Sequence, residues 1–450
     1  MKLLICHGAV CFENAIEVTD VLVEDGKIAA FGRVPENLRV AKVIDAKGLF
    51  VLPGFIDIHT HLDDQIGKFY LADTYQTGTR AAVQNGVATI FTFITQGPRQ
   101  RLADAIMRAE SKAKDNCYCN YAWHFTPTAF GGAGYRDIDA AVQTGFRSIK
   151  LYTTYKHAGL FSDYGKIEEI VKRFAPRHAQ FLIHCEDEDV LSQVDTGRLD
   201  LCKAFTHTLM RPKEAEIKAI ARVLNIAKRH QARIHIVHVS TPEGVELVER
   251  ARSTAPVTCE TAPQYLWLND SWLQKLDGHR WLCTPPLRSQ ADQARLRGLA
   301  LAGAIDLFAT DHCAFKKADK DHWRTDLRAV PNGIAGIGAL PHLVYALFRS
   351  GSNDAMIELA KRIATNPAKA FGIYPRKGTI KIGSDADLSV VDVHGRARAI
   401  RSSLAGCYEP YPDITSTLDF KYVLVRGEIV AANNELIPGN APKGACLCRN

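Results

Sequence analysis

The middle of this chain alternates short apolar runs with amphipathic stretches of helical length, a pattern that leaves very few folds open. Eight apolar runs read as strands: Phe55–His59, Ala88–Phe93, Tyr121–Phe125, Ser148–Tyr152, Phe181–His184, Ile234–His238, Val257–Glu260 and Ile305–Thr310. Leu102–Lys114, Ile167–Phe174, Lys213–Lys228 and Ala291–Leu299 carry the helical period. A strand buried on both faces and joined to the next through a helix pairs with it in parallel. Eight such units predict an α/β fold of the (β/α)8, or TIM-barrel, type, whose chemistry sits at the C-terminal strand ends.

The flanks are built differently. Residues 1–53 read as short strands (Lys2–Ile5, Val18–Val23, Ile28–Phe31 and Val43–Asp45) with a turn at Asp25-Gly26-Lys27, and Pro53-Gly54 closes them. The same style returns over 375–450, in Gly378–Ile382, Ala386–Asp392 and Tyr422–Val425. The expected division is a barrel over 54–374 between two β-rich ends.

Composition narrows the class of function. With 46% hydrophobic and 23% charged residues, the 450-residue chain is an ordinary globular protein. Its net charge of +7 is spread over 56 basic and 49 acidic residues without a block of one sign, which argues against a nucleic-acid partner. Lys2 precedes too few apolar residues for a secretory leader, and no apolar run reaches membrane-spanning length. A cytoplasmic protein without a membrane partner is expected. The 12 cysteines are scattered and read as free thiols, and the pairs Cys117/Cys119 and Cys446/Cys448 lack the CxxC spacing of a structural zinc site.

The expected strand ends carry unusual residues. The first ends in His59 and His61, which alternation sends to the same side, where they can bind one ion together. Among 16 histidines, chance alone supplies roughly half an HxH match, so its position on the first barrel strand is what points to metal. The fifth strand ends in His184, the sixth in His238 and the eighth in Asp311. Any one histidine ending an apolar strand reads first as a hydrogen-bonded core residue. Together these residues make the imidazole and carboxylate set that borderline metals favour. Lys150, in Ser148-Ile149-Lys150-Leu151-Tyr152, is costly to bury charged. It is either a lysine snorkelling at the barrel rim or a neutral amine that adds carbon dioxide, forming a carbamate able to bridge two ions.

These motifs, in this order, resemble the amidohydrolase superfamily and within it the D-hydantoinases and dihydropyrimidinases. The resemblance covers nearly the whole chain. Besides His59-Thr60-His61 it includes Tyr155 after Ser148–Tyr152, Ile183-His184-Cys185-Glu186, His238-Val239-Ser240 and Glu260-Thr261-Ala262-Pro263-Gln264-Tyr265-Leu266. Thr284-Pro285-Pro286-Leu287-Arg288, Thr310-Asp311-His312-Cys313 and Pro331-Asn332-Gly333 complete it. The resemblance implies that His59, His61 and Asp311 hold one divalent ion, zinc foremost, and that His184 and His238 hold a second. Lys150, as N6-carboxylysine, would bridge them. It further implies that Tyr155 contacts the substrate carbonyl, that Thr284 and Asn332 line the ring site, and that the β-rich ends join as one small β-sandwich domain. The chain departs from the family's common residues at Thr284, Ala262 and Gly338, where serine, cysteine and an acidic residue are frequent.

The function that follows is hydrolysis of a cyclic amide C–N bond by a hydroxide bridging two divalent ions, with Asp311 moving the proton and Tyr155 stabilising the oxyanion. The substrate would be a neutral hydantoin or dihydropyrimidine, and the assembly a homotetramer or homodimer. Dihydroorotase is the nearest rival, but it carries an arginine where this chain has Asp63. Allantoinase is the second, and its Asn-Glu-Pro-Gly continuation is absent here. A non-enzymatic scaffold of the same fold would have lost ligands, whereas all six positions are filled here.

Overall fold

The structure is a computed structural model that describes residues 2–33, 39–323, 325–348 and 352–448. Eight parallel strands form one sheet in sequence order: β1 (Phe55–Thr60), β2 (Val87–Thr95), β3 (Asn120–Thr126), β4 (Ser148–Tyr152), β5 (Gln180–His184), β6 (Ile234–Ile236), β7 (Val257–Thr261) and β8 (Leu307–Phe308). Helices including Leu102–Ala113, Tyr164–Phe174, Lys213–His230 and Gln290–Leu301 lie between them. This is the (β/α)8 barrel that the alternation predicts.

The barrel closes beyond the last strand. His61 N donates to His312 O at 2.7 Å and His312 N to His59 O at 3.3 Å. At the same seam, buried Asp57 accepts from Thr310 Oγ1 at 2.6 Å and from Thr310 N at 3.1 Å. β6 and β8 are shorter than their apolar runs. In both cases the chain soon takes a left-handed turn, at His238 (φ 38°) and Asp311 (φ 50°), which ends the extended conformation.

The two β-rich ends share one nine-stranded sheet. Lys2–Cys11, Ile16–Glu24, Lys27–Phe31, Lys42–Asp45 and Phe50–Pro53 come from the N-terminal end. Leu388–Asp392, Asp419–Val425, Glu428–Ala432 and Glu435–Leu436 come from the other. Antiparallel pairing of Leu388–Val391 with Phe50–Pro53 joins them. Alternate residues Leu3, Ile5, Val21, Val23, Leu388 and Val390 point into a core of their own.

The expected strand over Gly378–Ile382 is instead a chain of bends and turns. Gly378 takes φ 77°, and a side chain there would meet Ala364 O at 2.5 Å. Its carbonyl is spent on Thr365 Oγ1 at 2.8 Å, so it has no ladder to join.

Candidate metal centre

The residues singled out at the strand ends converge. His59, His61 and Asp311 each offer one donor atom, and these lie within 4.8 Å of one another. Asp311 Oδ1 is 3.2 Å from His59 Nε2 and 3.4 Å from His61 Nε2. Alongside, His184 Nδ1 faces His238 Nε2 at 2.8 Å, and the His59 and His238 rings are 5.5 Å apart. Lys150 lies on β4 between the rings of Phe93 and Tyr152, its Nζ 5.2 Å and 5.1 Å from their centroids.

Local backbone conformation aims several of these groups. His238, Asp311 and Tyr155 are non-glycine residues at φ 38°, 50° and 65°. Left-handed backbone is costly for a side chain with a Cβ, and such costs gather where geometry serves function.

Carboxylates fix the imidazoles from behind. Glu260, on β7, hydrogen-bonds His59 Nδ1 with one oxygen. The His238 amide donates to that same oxygen at 3.2 Å, and the other oxygen is 3.0 Å from His235 Nε2. Glu186 accepts from His184 Nε2 at 2.7 Å and is gripped by Arg211 through Nε at 3.0 Å and Nη2 at 2.7 Å. Burial alone would raise both carboxyls, but the facing cations and ring N–H groups outweigh it and hold them well below the usual range. Each is therefore an acceptor. His59 and His184 must present N–H to their carboxylates, which leaves the opposite nitrogen as a lone pair aimed at the centre.

Burial lowers the pKa of His59, His184 and His238, so the imidazoles are in the neutral form that binds metal. His238 Nδ1 is buried without a hydrogen-bond partner among the described residues. Burial opposes ionisation of Asp311, yet His59, His61 and Lys150 prevail and keep it below the ordinary carboxylate value. Burial lowers Lys150 to about 8, against the pull of Asp311 and Glu260, which makes an unprotonated amine accessible near neutrality. Neutral imidazoles, a carboxylate and a nucleophilic amine fit a pair of borderline divalent ions.

Beside this centre stand Tyr155, Thr284 and Asn332. The Tyr155 ring is 5.1 Å from that of His184, and its phenol hydrogen-bonds Thr284. Burial raises that phenol, with Arg211 pulling the other way, so it is a hydrogen-bond donor near neutrality. Asn332 Nδ2 donates to Thr284 Oγ1 at 3.1 Å, and His207 Nε2 lies 3.4 Å from the same oxygen. Gly338 admits no acidic side chain, because a Cβ there would meet Arg401 O at 2.2 Å. Asp63 is paired with Lys112 at 3.1 Å, so its charge is matched rather than free to repel a ligand.

Sequence pattern alone assigns no role to Glu186, Arg211, His207, His235 or Glu260. Glu186 and Glu260 did carry a signal, as acidic residues in or just after apolar strands, where an unpaired charge is not tolerated.

An amidohydrolase family model matches residues 50–430. The chain belongs to that family. It is 34% identical over 432 residues to the D-hydantoinase of Streptomyces coelicolor, covering 92% of this chain and 91% of the relative. It is 31% identical over 449 residues to that of Geobacillus stearothermophilus, covering 97% and 94%. The solved dihydropyrimidinase from Brevibacillus agri superposes with a TM-score of 0.94 at 30% identity, over 100% of this chain and 99% of that one. This amidohydrolase thus stands with the hydantoinases and dihydropyrimidinases, and it is an enzyme of the cyclic amidohydrolase type. Among its described residues no helix is long and apolar enough to cross a membrane.

Proposed function

We propose that this amidohydrolase opens the ring of a neutral hydantoin or dihydropyrimidine by hydrolysing its amide C–N bond, with two divalent ions in the histidine centre. The observation that carries this reading is the convergence of His59, His61 and Asp311 within 4.8 Å, next to the facing pair His184 and His238. In this reading His59, His61 and Asp311 hold one ion, His184 and His238 the other, and carboxylated Lys150 spans both. When bound, such ions acidify water toward neutrality and polarise an amide carbonyl.

The chain's own groups do the rest. Asp311, ionised beside the centre, takes the proton of the attacking water and returns it to the ring nitrogen, so that a neutral ureido group rather than its anion leaves. Tyr155 donates its phenolic hydrogen to the carbonyl oxygen as negative charge develops there. Thr284 and Asn332, already hydrogen-bonded to each other, hold the ring in register. Asp63, where dihydroorotase has an arginine, supplies no cation for a carboxylated ring.

Zinc-loaded protein assayed against hydantoins, dihydrouracil, allantoin and dihydroorotate tests the assignment. Turnover of hydantoins or dihydrouracil well above the other two is expected. Preference for dihydroorotate or allantoin overturns the substrate, and full activity of metal-free protein overturns the centre.

A further inference from the structure

Two cysteine pairs far apart in the sequence are neighbours in space. Residues 444–447 return to the barrel and run parallel to the first half of β3, with a bridge between Tyr121 and Cys446. Gly444 N donates to Cys117 O at 2.8 Å, Tyr121 N to Ala445 O at 3.0 Å, and Leu447 N to Tyr121 O at 2.9 Å. β4 pairs with β3 only at Phe125, so the tail fills an edge that β4 leaves open. Leu447 joins the apolar cluster of Ile56, Ile58 and Ala122. Cys446 and Cys448 both pack against the main barrel core, and Trp123 N donates to Cys448 Sγ at 3.2 Å. The two thiols share a hydrogen bond, and Cys117 lies close enough to sense charge on Cys446. Both tail thiols are partly exposed, whereas Cys117 and Cys119 are buried.

Cys448 lies in the turn that follows the bridge at Cys446. A disulfide between the two thiols would need a two-electron oxidant to take up their electrons, whereas an ion held between the sulfurs needs none. Among the described residues only His59, His61 and Asp311 bring three donor atoms within 4.8 Å, so the tail offers a two-sulfur site, a coordination number that copper(I) accepts.

We propose that Cys446 and Cys448, backed by Cys117, bind a soft thiophilic cation of the copper(I) class at the outer wall of the barrel. Thiolate donors select such ions, whereas the imidazole and carboxylate centre suits borderline ones, so the molecule sorts metals by donor type. On binding, two S–H bonds break and release their protons to solvent as two sulfur–metal bonds form. The Trp123 amide supports the sulfur that gains charge.

The test titrates zinc-loaded protein with copper(I), without oxygen, against a chromophoric copper(I) chelator. Wild type and Cys202→Ser, which alters an exposed cysteine elsewhere, should each withhold about one equivalent from the chelator. The Cys446→Ser/Cys448→Ser variant should lose it, with zinc content and circular dichroism unchanged to show that the barrel is intact. Retention by that variant overturns the proposal, as does failure of wild type to withhold copper or loss caused by Cys202→Ser alone. Should the double variant unfold, Cys448→Ser alone, which leaves Cys446 beside Tyr121, reads the same loss.

Discussion

Two lysines are buried to the same degree and differ in everything around them. Lys150 is 1% exposed and Lys320 fully buried, and burial lowers the first to about 8 and the second to about 7. Lys320 donates to Leu282 O at 2.9 Å and faces the thiols of Cys283 and Cys313. Lys150 faces Asp311 and Glu260 beside the histidine centre. A third, Lys377, is held by Asp387 at 2.6 Å and Asp385 at 3.0 Å and is a plain buried ion pair. Burial makes an amine available, and its neighbours decide what use is made of it. Of the three, Lys150 alone lies beside the proposed metal donors, which a carbamate there would join.

The largest expected effect breaks the comparison at Lys150. Lys150→Ala should lose turnover and one of about two bound metals, because His184 and His238 alone cannot fill a four-coordinate site. Short carboxylic acids should restore part of the activity by supplying the missing oxygens. Elemental analysis and turnover of the variant decide it, and unchanged turnover rejects the bridge. Protein exchanged into isotopically labelled bicarbonate should give one carbamate signal by magnetic resonance, absent in Lys150→Ala and retained in Lys320→Met.

The carboxylates facing Lys150 come next. Asp311→Asn keeps the size and one oxygen ligand but removes the base, so kcat should fall by roughly a hundredfold or more. Metal content should hardly change. Normal kcat with normal metal would make Asp311 a structural cap and nothing more. Glu186→Gln acts further out, since the glutamine frees His184 to rotate and leaves Arg211 without its partner. Metal affinity at the His184 side should drop by roughly ten- to a hundredfold, with the His59 side kept, as competition with a chelator would measure. Equal loss from both sides would place Glu186 in general stability instead.

The same contrast shows why parts of this protein were legible in the sequence and others not. Barrel strands announced themselves as apolar runs because both faces are buried, and the histidines stood out as polar residues at their ends. Lys150 stood out for the same reason. Lys320 did not: it lies in Lys317–Asp321, among charged neighbours that read as a solvated face, and only tertiary packing of Leu282 and Tyr408 over it makes it internal. Glu260 appeared as a motif residue, but its partners His59 and His235 come from other strands, a pairing that no local period encodes. The bend at Gly378 is not legible in its own segment because Ala364 and Thr365, on a neighbouring helix, set its conformation.

The smallest effect concerns Lys320 itself. Unfolded, a lysine titrates near its ordinary value of about 10.4, whereas folded Lys320 titrates at about 7. Between those values the unfolded chain binds the extra proton, so this residue's contribution to stability rises with pH across the window and is lost below it. No counterion forms inside the window, because burial pushes Cys283 to about 12 and holds Cys313 higher still. Lys320→Met removes the titration and also the bond to Leu282 O, which costs about the same at every pH. The variant should therefore be relatively more stable at pH 6 than at pH 9, the difference growing by at most about 1.4 kcal/mol per pH unit. Turnover should change little, since the Lys320 hydrogen bond goes to Leu282 O, which also accepts from Gly333 N at 2.9 Å. Denaturant titrations of both proteins at several pH values check the slope. Parallel curves would show that Lys320 is protonated throughout, and would mean that a buried amine can keep its proton without a carboxylate. Neutrality of Lys150 would then depend on its neighbours as much as on its depth.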